Sequence, residues 1–244
     1  MQPAKKATEM TRDELAAYID HSVLKPEFTQ AEIKEQILKG IEFKCKTVCV
    51  NPSALDIALS MCAGTDTKVC STCDFPFGLS ETASKAAQAE AVCKKGIFEM
   101  DVVANYGWLC GGMWDEALAD IKAVNDVCSK YGVPLKVILE TDALTVEQIK
   151  KGAAIVADAG AAFVKSSTGF YIGGKSDGAT IEAVRAMMDG CGGRCLVKAS
   201  GGIRTQEHFF ALIDMGVDRM GVGFKSTPVL LGVGDSKTVA NAQY

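Results

Sequence analysis

Only two histidines, His21 and His208, occur in 244 residues. A catalytic zinc held by three histidines is therefore excluded, and with it a metal-dependent aldolase or hydrolase of that design. Excess positive charge is also missing. Lys and Arg number 26 against 30 Asp and Glu, a formal net charge of -4, which leaves no basic stripe for nucleic acid or an anionic membrane. No stretch approaches the roughly 20 uninterrupted apolar residues of a membrane span. The opening Met-Gln-Pro-Ala-Lys-Lys-Ala-Thr-Glu-Met has no apolar core of a signal peptide, so a cytoplasmic location is the expectation. Linkers and low-complexity stretches are absent too. One domain over residues 1–244 is expected, with 1–10 and 234–244 as flexible tails.

Cysteine, by contrast, is plentiful at ten residues. Cys45, Cys49, Cys70, Cys93, Cys128 and Cys195 lie in apolar strand or helix patterns, where a reduced thiol behaves as a small hydrophobe. Cys70-Ser-Thr-Cys73 is a lone CxxC with neither a partner pair nor a flanking histidine, a weak signal for a metal or redox site.

Glycine recurs where a helical pattern gives way to an apolar, β-rich run: Gly40, Gly64, Gly96, Gly132, Gly160, Gly193 and Gly216. Glycine after the last helical turn takes the left-handed conformation without a Cβ penalty. Seven strands follow these junctions, at Phe43–Val50, Lys68–Phe75, Phe98–Val103, Leu135–Glu140, Phe163–Ser166, Cys195–Ala199 and Val217–Val222, and the earlier run Tyr18–Leu24 supplies an eighth. Helix starts are marked between them. Thr29 with Glu32 reads as a capping box, and Thr145 caps a segment with apolar residues at 146, 149, 153 and 156. No Gly-x-Gly-x-x-Gly follows the first strand, so a dinucleotide fold gains no support. The expected class is α/β: a (β/α)8 barrel with an extra N-terminal helix.

In such a barrel the active site lies at the C-terminal strand ends. Asp101, in Phe98-Glu-Met-Asp-Val-Val, is an acid in a parallel strand that should be almost wholly apolar. By period 2 it shares a face with Glu99 and Val103, and Phe98, Met100 and Val102 would face the helices. Lys165 alternates with Phe163, and Lys198 with Leu196, which lets both lysines point inward as well. Taken singly, each has a plain alternative: a structural ion pair for Asp101, a lysine snorkelling to solvent for the other two. Together, two amines and a carboxylate supply what Schiff-base chemistry needs: a nucleophile, a charge that lowers its pKa, and a proton shuttle. A non-catalytic barrel using the lysines as anion ligands is the rival reading, although such a site gains nothing from Asp101.

Seven segments in order carry a resemblance: Ile-Asp20-His-Ser-Val-Leu-Lys-Pro, Val-Cys49-Val-Asn-Pro, Phe-Pro-Phe-Gly78, Glu-Met-Asp101-Val-Val-Ala-Asn105, Leu-Lys-Val-Ile-Leu-Glu-Thr141, Phe-Val-Lys165-Ser-Ser-Thr-Gly169-Phe and Val-Lys198-Ala-Ser-Gly-Gly-Ile-Arg-Thr205. The chain resembles the deoxyribose-phosphate aldolases, class I aldolases on a (β/α)8 barrel. The resemblance implies reversible cleavage of 2-deoxy-D-ribose 5-phosphate to acetaldehyde and glyceraldehyde 3-phosphate, without metal or cofactor. It makes Lys165 the imine-forming lysine, Lys198 the neighbour that tunes it and Asp101 the proton exchanger. Asp20, Ser22, Cys49 and Thr168 match pocket-lining positions, with a plain core thiol the alternative for Cys49. Some members bring a C-terminal tyrosine into the site, here Tyr244, for which a frayed tail is the alternative. Members are often dimers, so a homodimer is a further expectation.

At the phosphate end, Ser200-Gly201-Gly202-Ile203-Arg204 after strand 7 fits an anion cradle that Gly173-Gly174 after strand 6 would join, and Gly169 is a further substrate-binding candidate. After strand 8 the match departs from the family pattern. Gly221-Val-Gly-Phe-Lys225 has no hydroxyl where the family has serine or threonine, and Lys225 would have to supply charge instead. A different or unphosphorylated deoxysugar or aldehyde substrate therefore stays open.

Overall fold

A computed structural model of the protein describes residues 3–239. Eight strands follow one another in chain order around a closed parallel barrel. They are β1 (Ile19–Val23), β2 (Thr47–Val50), β3 (Lys68–Cys73), β4 (Glu99–Val103), β5 (Leu135–Ile138), β6 (Phe163–Lys165), β7 (Leu196–Ser200) and β8 (Arg219–Gly223). A short helix, α1 (Arg12–Ala16), precedes β1, as the sequence implied. The connecting helices are α2 (Gln30–Glu42), α3 (Leu55–Cys62), α4 (Thr82–Cys93), α5 (Tyr106–Gly111), α6 (Trp114–Lys130), α7 (Val146–Asp158), α8 (Ile181–Cys191) and α9 (Gln206–Met215), with α10 (Ser226–Leu230) after β8. No helix among the described residues is long and apolar enough to cross a membrane.

Ser71–Gly202 forms one compact unit, and the described residues up to Cys70 and from Ile203 form the other. In the first, β4 to β7 pair in sequence, with Asp101 opposite Lys136, Ile138 opposite Lys165, and Lys165 opposite Lys198. In the second, β1 lies between β8 and β2, with Asp20 opposite Gly221 on one side and Thr47 on the other.

The local signals act as expected at most junctions. Thr29 and Glu32 close a reciprocal capping box on α2, and Thr145 with Gln148 does the same for α7. Ile149, Ala153 and Val156 of α7 are buried. Six of the seven junction glycines have positive φ, from 66° at Gly132 to 97° at Gly216. Gly40 is the exception. It lies inside α2, which runs on to Glu42, and Lys44 takes the left-handed turn at φ 56°. A Cβ at Gly40 would sit 2.5 Å from Val48 Cγ1 and 3.1 Å from His21 Cδ2. This glycine therefore serves close packing of α2 on β1 and β2, and β2 starts at Thr47, later than the apolar pattern implied.

All ten cysteines are free thiols, eight of them buried. Cys195, expected in the core, is half-buried at the start of β7, next to the solvent-facing Leu196.

Candidate active site

The short strand β4 reads Glu-Met-Asp-Val-Val. Alternation sends Met100 and Val102 to one face and Glu99 and Asp101 to the other. Asp101 is completely buried. Its Oδ2 accepts hydrogen bonds from Lys165 Nζ and from Lys198 Nζ, each at 2.7 Å. Adjacent parallel strands place these lysines side by side, since Lys165 on β6 is the register partner of Lys198 on β7. Both side chains are almost wholly removed from solvent, at 4% and 1% exposure. The three charges singled out in the sequence thus converge on one oxygen atom.

A fourth and a fifth charge complete the cluster: Glu99, which the strand period set on the face of Asp101, and Lys136, which sequence reasoning missed. Lys136, opposite Asp101 on β5, donates to Asp101 Oδ1 at 3.0 Å and reaches Glu99 Oε2 at 2.8 Å. The signal was present. Leu135-Lys-Val-Ile138 is a four-residue buried strand in which a lysine is as anomalous as Asp101 is in β4. Burial favours the protonated form of Asp101, but the charges of Lys136, Lys165 and Lys198 outweigh it. They hold the carboxyl well below the usual carboxylate range. Asp101 is therefore held as an anion by the three lysines around it.

The segment leaving β6 is tied to the end of β5. Thr168 donates from its backbone N–H to Glu140 Oε1 at 3.1 Å and from its hydroxyl to Glu140 Oε2. Glu140 is buried and sits at φ 58°, a left-handed conformation unusual for a side chain larger than Asn. Further along, Gly178 packs directly on Gly201. A Cβ at Gly178 would lie 2.4 Å from the Gly201 carbonyl, whose oxygen accepts from Ala179 N–H at 3.0 Å. Gly169, Gly201 and Gly202 all have positive φ, and Gly202 leaves only 2.7 Å between a Cβ and the Asp177 carbonyl oxygen.

A family model described as DeoC/LacD family aldolase matches residues 14–226. The chain belongs to this family. The deoxyribose-phosphate aldolase of Mannheimia succiniciproducens is 42% identical over 212 residues, covering 87% of this chain and 92% of that one. The deoxyribose-phosphate aldolase of a Thermoanaerobacter species is 41% identical over 208 residues, covering 85% and 92%. Among solved structures, an aldolase designated QR15 superposes with a TM-score of 0.80 at 36% identity, over 90% of this chain and 95% of that one.

The remaining candidate residues of this aldolase that the structure describes lie in the other compact unit. Asp20 and Ser22 on β1 are register partners of Thr47 and Cys49 on β2, and all four are buried. Asp20 Oδ1 accepts from Thr47 Oγ1 at 2.7 Å and from Arg219 at 2.8 Å, an ion pair that ties β1 to β8. Arg204 immediately precedes Thr205, the N-cap of α9. Lys225 stands at the N-cap of α10, its ammonium 5.8 Å from the Phe224 ring. Val222 is buried in β8, and Gly223 has open space where a side chain would project. Tyr244 lies outside the described residues.

Proposed function

We propose that this aldolase cleaves 2-deoxy-D-ribose 5-phosphate reversibly to acetaldehyde and D-glyceraldehyde 3-phosphate through an imine on Lys165. The observation that carries the reading is the pair of ammonium nitrogens at 2.7 Å from one Asp101 oxygen. It supports assigning a nucleophile and a second charge to the two lysines, each one hydrogen-bond length from a carboxylate that can carry protons.

Lys165 passes its ammonium proton to water and attacks the C1 aldehyde of the open-chain sugar as a neutral amine, and the carbinolamine takes up a proton and loses water to give an iminium. With C1 now electron-poor, the C2–C3 bond breaks as the C3 hydroxyl gives up its proton to water. C3 leaves as the aldehyde of glyceraldehyde 3-phosphate, and the bonding pair stays on the enamine. Protonation at C2 and hydrolysis release acetaldehyde and restore Lys165. Asp101 relays protons at the carbinolamine and imine through water, and Lys198 holds Asp101 and balances its charge. Positive charge built up on Lys165 is stabilised by the buried carboxylate it already touches. The Gly201–Gly202 turn is assigned to the phosphate, through backbone N–H groups.

A second reading keeps the imine and changes the substrate to an unphosphorylated deoxysugar or aldehyde. It is favoured by Val222 and Gly223, which carry no hydroxyl at the end of β8. Measuring kcat/KM for deoxyribose 5-phosphate and for deoxyribose separates the two. A preference for the phosphorylated sugar by a factor of ~10² or more supports the first reading. Equal efficiency rejects it in favour of the second.

A further inference from the structure

Thr168 follows Lys165 by three residues, and its hydroxyl has a fixed set of partners. The hydroxyl proton is committed to Glu140 Oε2, and one oxygen lone pair is committed to the Phe170 N–H at 2.9 Å. A hydroxyl has one proton to give and two lone pairs. What remains on Thr168 is a single lone pair. The second oxygen of Glu140 holds the Thr168 backbone N–H, so the carboxylate grips the residue at two points and fixes its position as well as its polarity. Phe170, the next partner along, is itself held edge-on against Phe75, ring centroids 5.4 Å apart.

We propose that Glu140 is a positioning residue for the reaction, which fixes the Thr168 hydroxyl as a hydrogen-bond acceptor toward the substrate. The assignment rests on the imine reading above and on Thr168 facing the substrate. An acceptor so arranged recognises a donating group, a sugar hydroxyl, and disfavours a carbonyl or phosphate oxygen at the same place. The left-handed backbone of Glu140 fits this role. Strain of this kind persists where surrounding structure imposes it, and here it accompanies two carboxylate oxygens that both accept from Thr168. Burial above all, with the neighbouring Asp142, raises the Glu140 carboxyl from its ordinary value, and the two Thr168 hydrogen bonds and the charge of Lys165 oppose that rise.

The isosteric substitution Glu140→Gln reverses the polarity without removing the clamp. The amide oxygen still accepts the Thr168 N–H, but the amide nitrogen now donates to the hydroxyl oxygen. With Phe170 N–H as second donor both lone pairs are filled, and Thr168 can then only donate. The full-length wild type and Glu140→Gln are compared in two reactions: borohydride trapping of acetaldehyde on Lys165, which involves no substrate hydroxyl, and steady-state cleavage of deoxyribose 5-phosphate. Trapping is expected to be unchanged, and kcat/KM for cleavage to fall about 10- to 100-fold. The double variant Glu140→Gln/Thr168→Val should lose no more than Thr168→Val alone. Wild-type cleavage by Glu140→Gln, or losses that multiply in the double variant, overturn the proposal. Should Glu140→Gln fail to fold, Thr168→Ser is expected to keep kcat/KM within a few-fold and Thr168→Val to lose it, and a fully active Thr168→Val overturns the proposal. No adduct in the wild type removes the imine reading and this proposal with it. An adduct in both proteins, with unchanged cleavage, removes this proposal alone.

Discussion

Lys165 and Lys198 are register partners on adjacent strands, and both ammonium groups lie 2.7 Å from the same oxygen of Asp101. Two amines that share one anion are chemically inequivalent only through what each can reach. Nucleophilic attack needs a primary amine, whereas charge balance needs only a cation. Lys165→Arg is therefore expected to lower kcat by ~10³ or more. Lys198→Arg should retain clearly more activity than Lys198→Met. Steady-state assays of the three variants check the order, and Lys165→Arg as active as the wild type contradicts the assignment.

Asp101 is the hub of a buried cluster, so its removal affects stability as well as chemistry. Asp101→Asn leaves Lys136, Lys165 and Lys198 without their shared anion and is expected to cost about 3–5 kcal/mol. Lys136→Met takes one cation from Glu99 and Asp101, while Asp101 keeps Lys165 and Lys198, so its cost should be smaller. The double variant Asp101→Asn/Lys136→Met is expected to lose less than the sum, because each single change already breaks the same contact. Denaturant unfolding of the four proteins measures this, and strict additivity would show that the two residues do not act on each other.

His21 gives a pH signature that is independent of catalysis. Its ring is fully buried on β1, and Nδ1 lies 2.8 Å from Thr227 Oγ1. Burial depresses its pKa to about 4 from an ordinary 6.5. Below pH 6.5 the unfolded chain takes up a proton at this position and the folded chain does not. The His21 contribution is thus fully present above pH 6.5 and declines as the pH falls toward 4, by up to about 3 kcal/mol. Unfolding free energies between pH 7 and 4 for the wild type and His21→Asn should converge at the acid end. Parallel curves contradict the prediction.

Gly40 and Gly64 look alike in the sequence and differ in the fold. Gly40→Ala places a methyl against Val48 and His21, for an expected loss of about 1–3 kcal/mol by overpacking. Gly64 has φ 75° with nothing within 4 Å of a Cβ, so Gly64→Ala is opposed by backbone strain alone. Adding Val48→Ala should relieve part of the Gly40→Ala loss and none of the Gly64→Ala loss. Thermal unfolding of the single and paired variants distinguishes the two mechanisms.

These contrasts mark what a sequence shows and what it hides. Asp101, Lys165 and Lys198 were legible because a charge inside an apolar strand contradicts its surroundings. Lys136 carried the same signal, but it announced itself less, since a single lysine in a four-residue strand also fits a snorkelling surface residue. The helix-to-strand junctions were readable from glycine. Gly40 was misread because helix-interior glycine needed for close packing and cap glycine share one letter, and only the approach of Val48 separates them. The Glu140 clamp was not readable as a clamp. It depends on a left-handed backbone at a residue with no preference for it, and on a loop that returns to the same carboxylate from β6.

The claim that organises the account is that Lys165 is the carbon-bond-breaking nucleophile. Incubating the protein with acetaldehyde, reducing it with borohydride and mapping the modified peptide by mass spectrometry tests that most directly. The account predicts one stable two-carbon adduct on Lys165, absent from Lys165→Arg and retained in Glu140→Gln. An adduct on Lys198 or Lys136 in place of Lys165, or none on any lysine of the cluster, would contradict it.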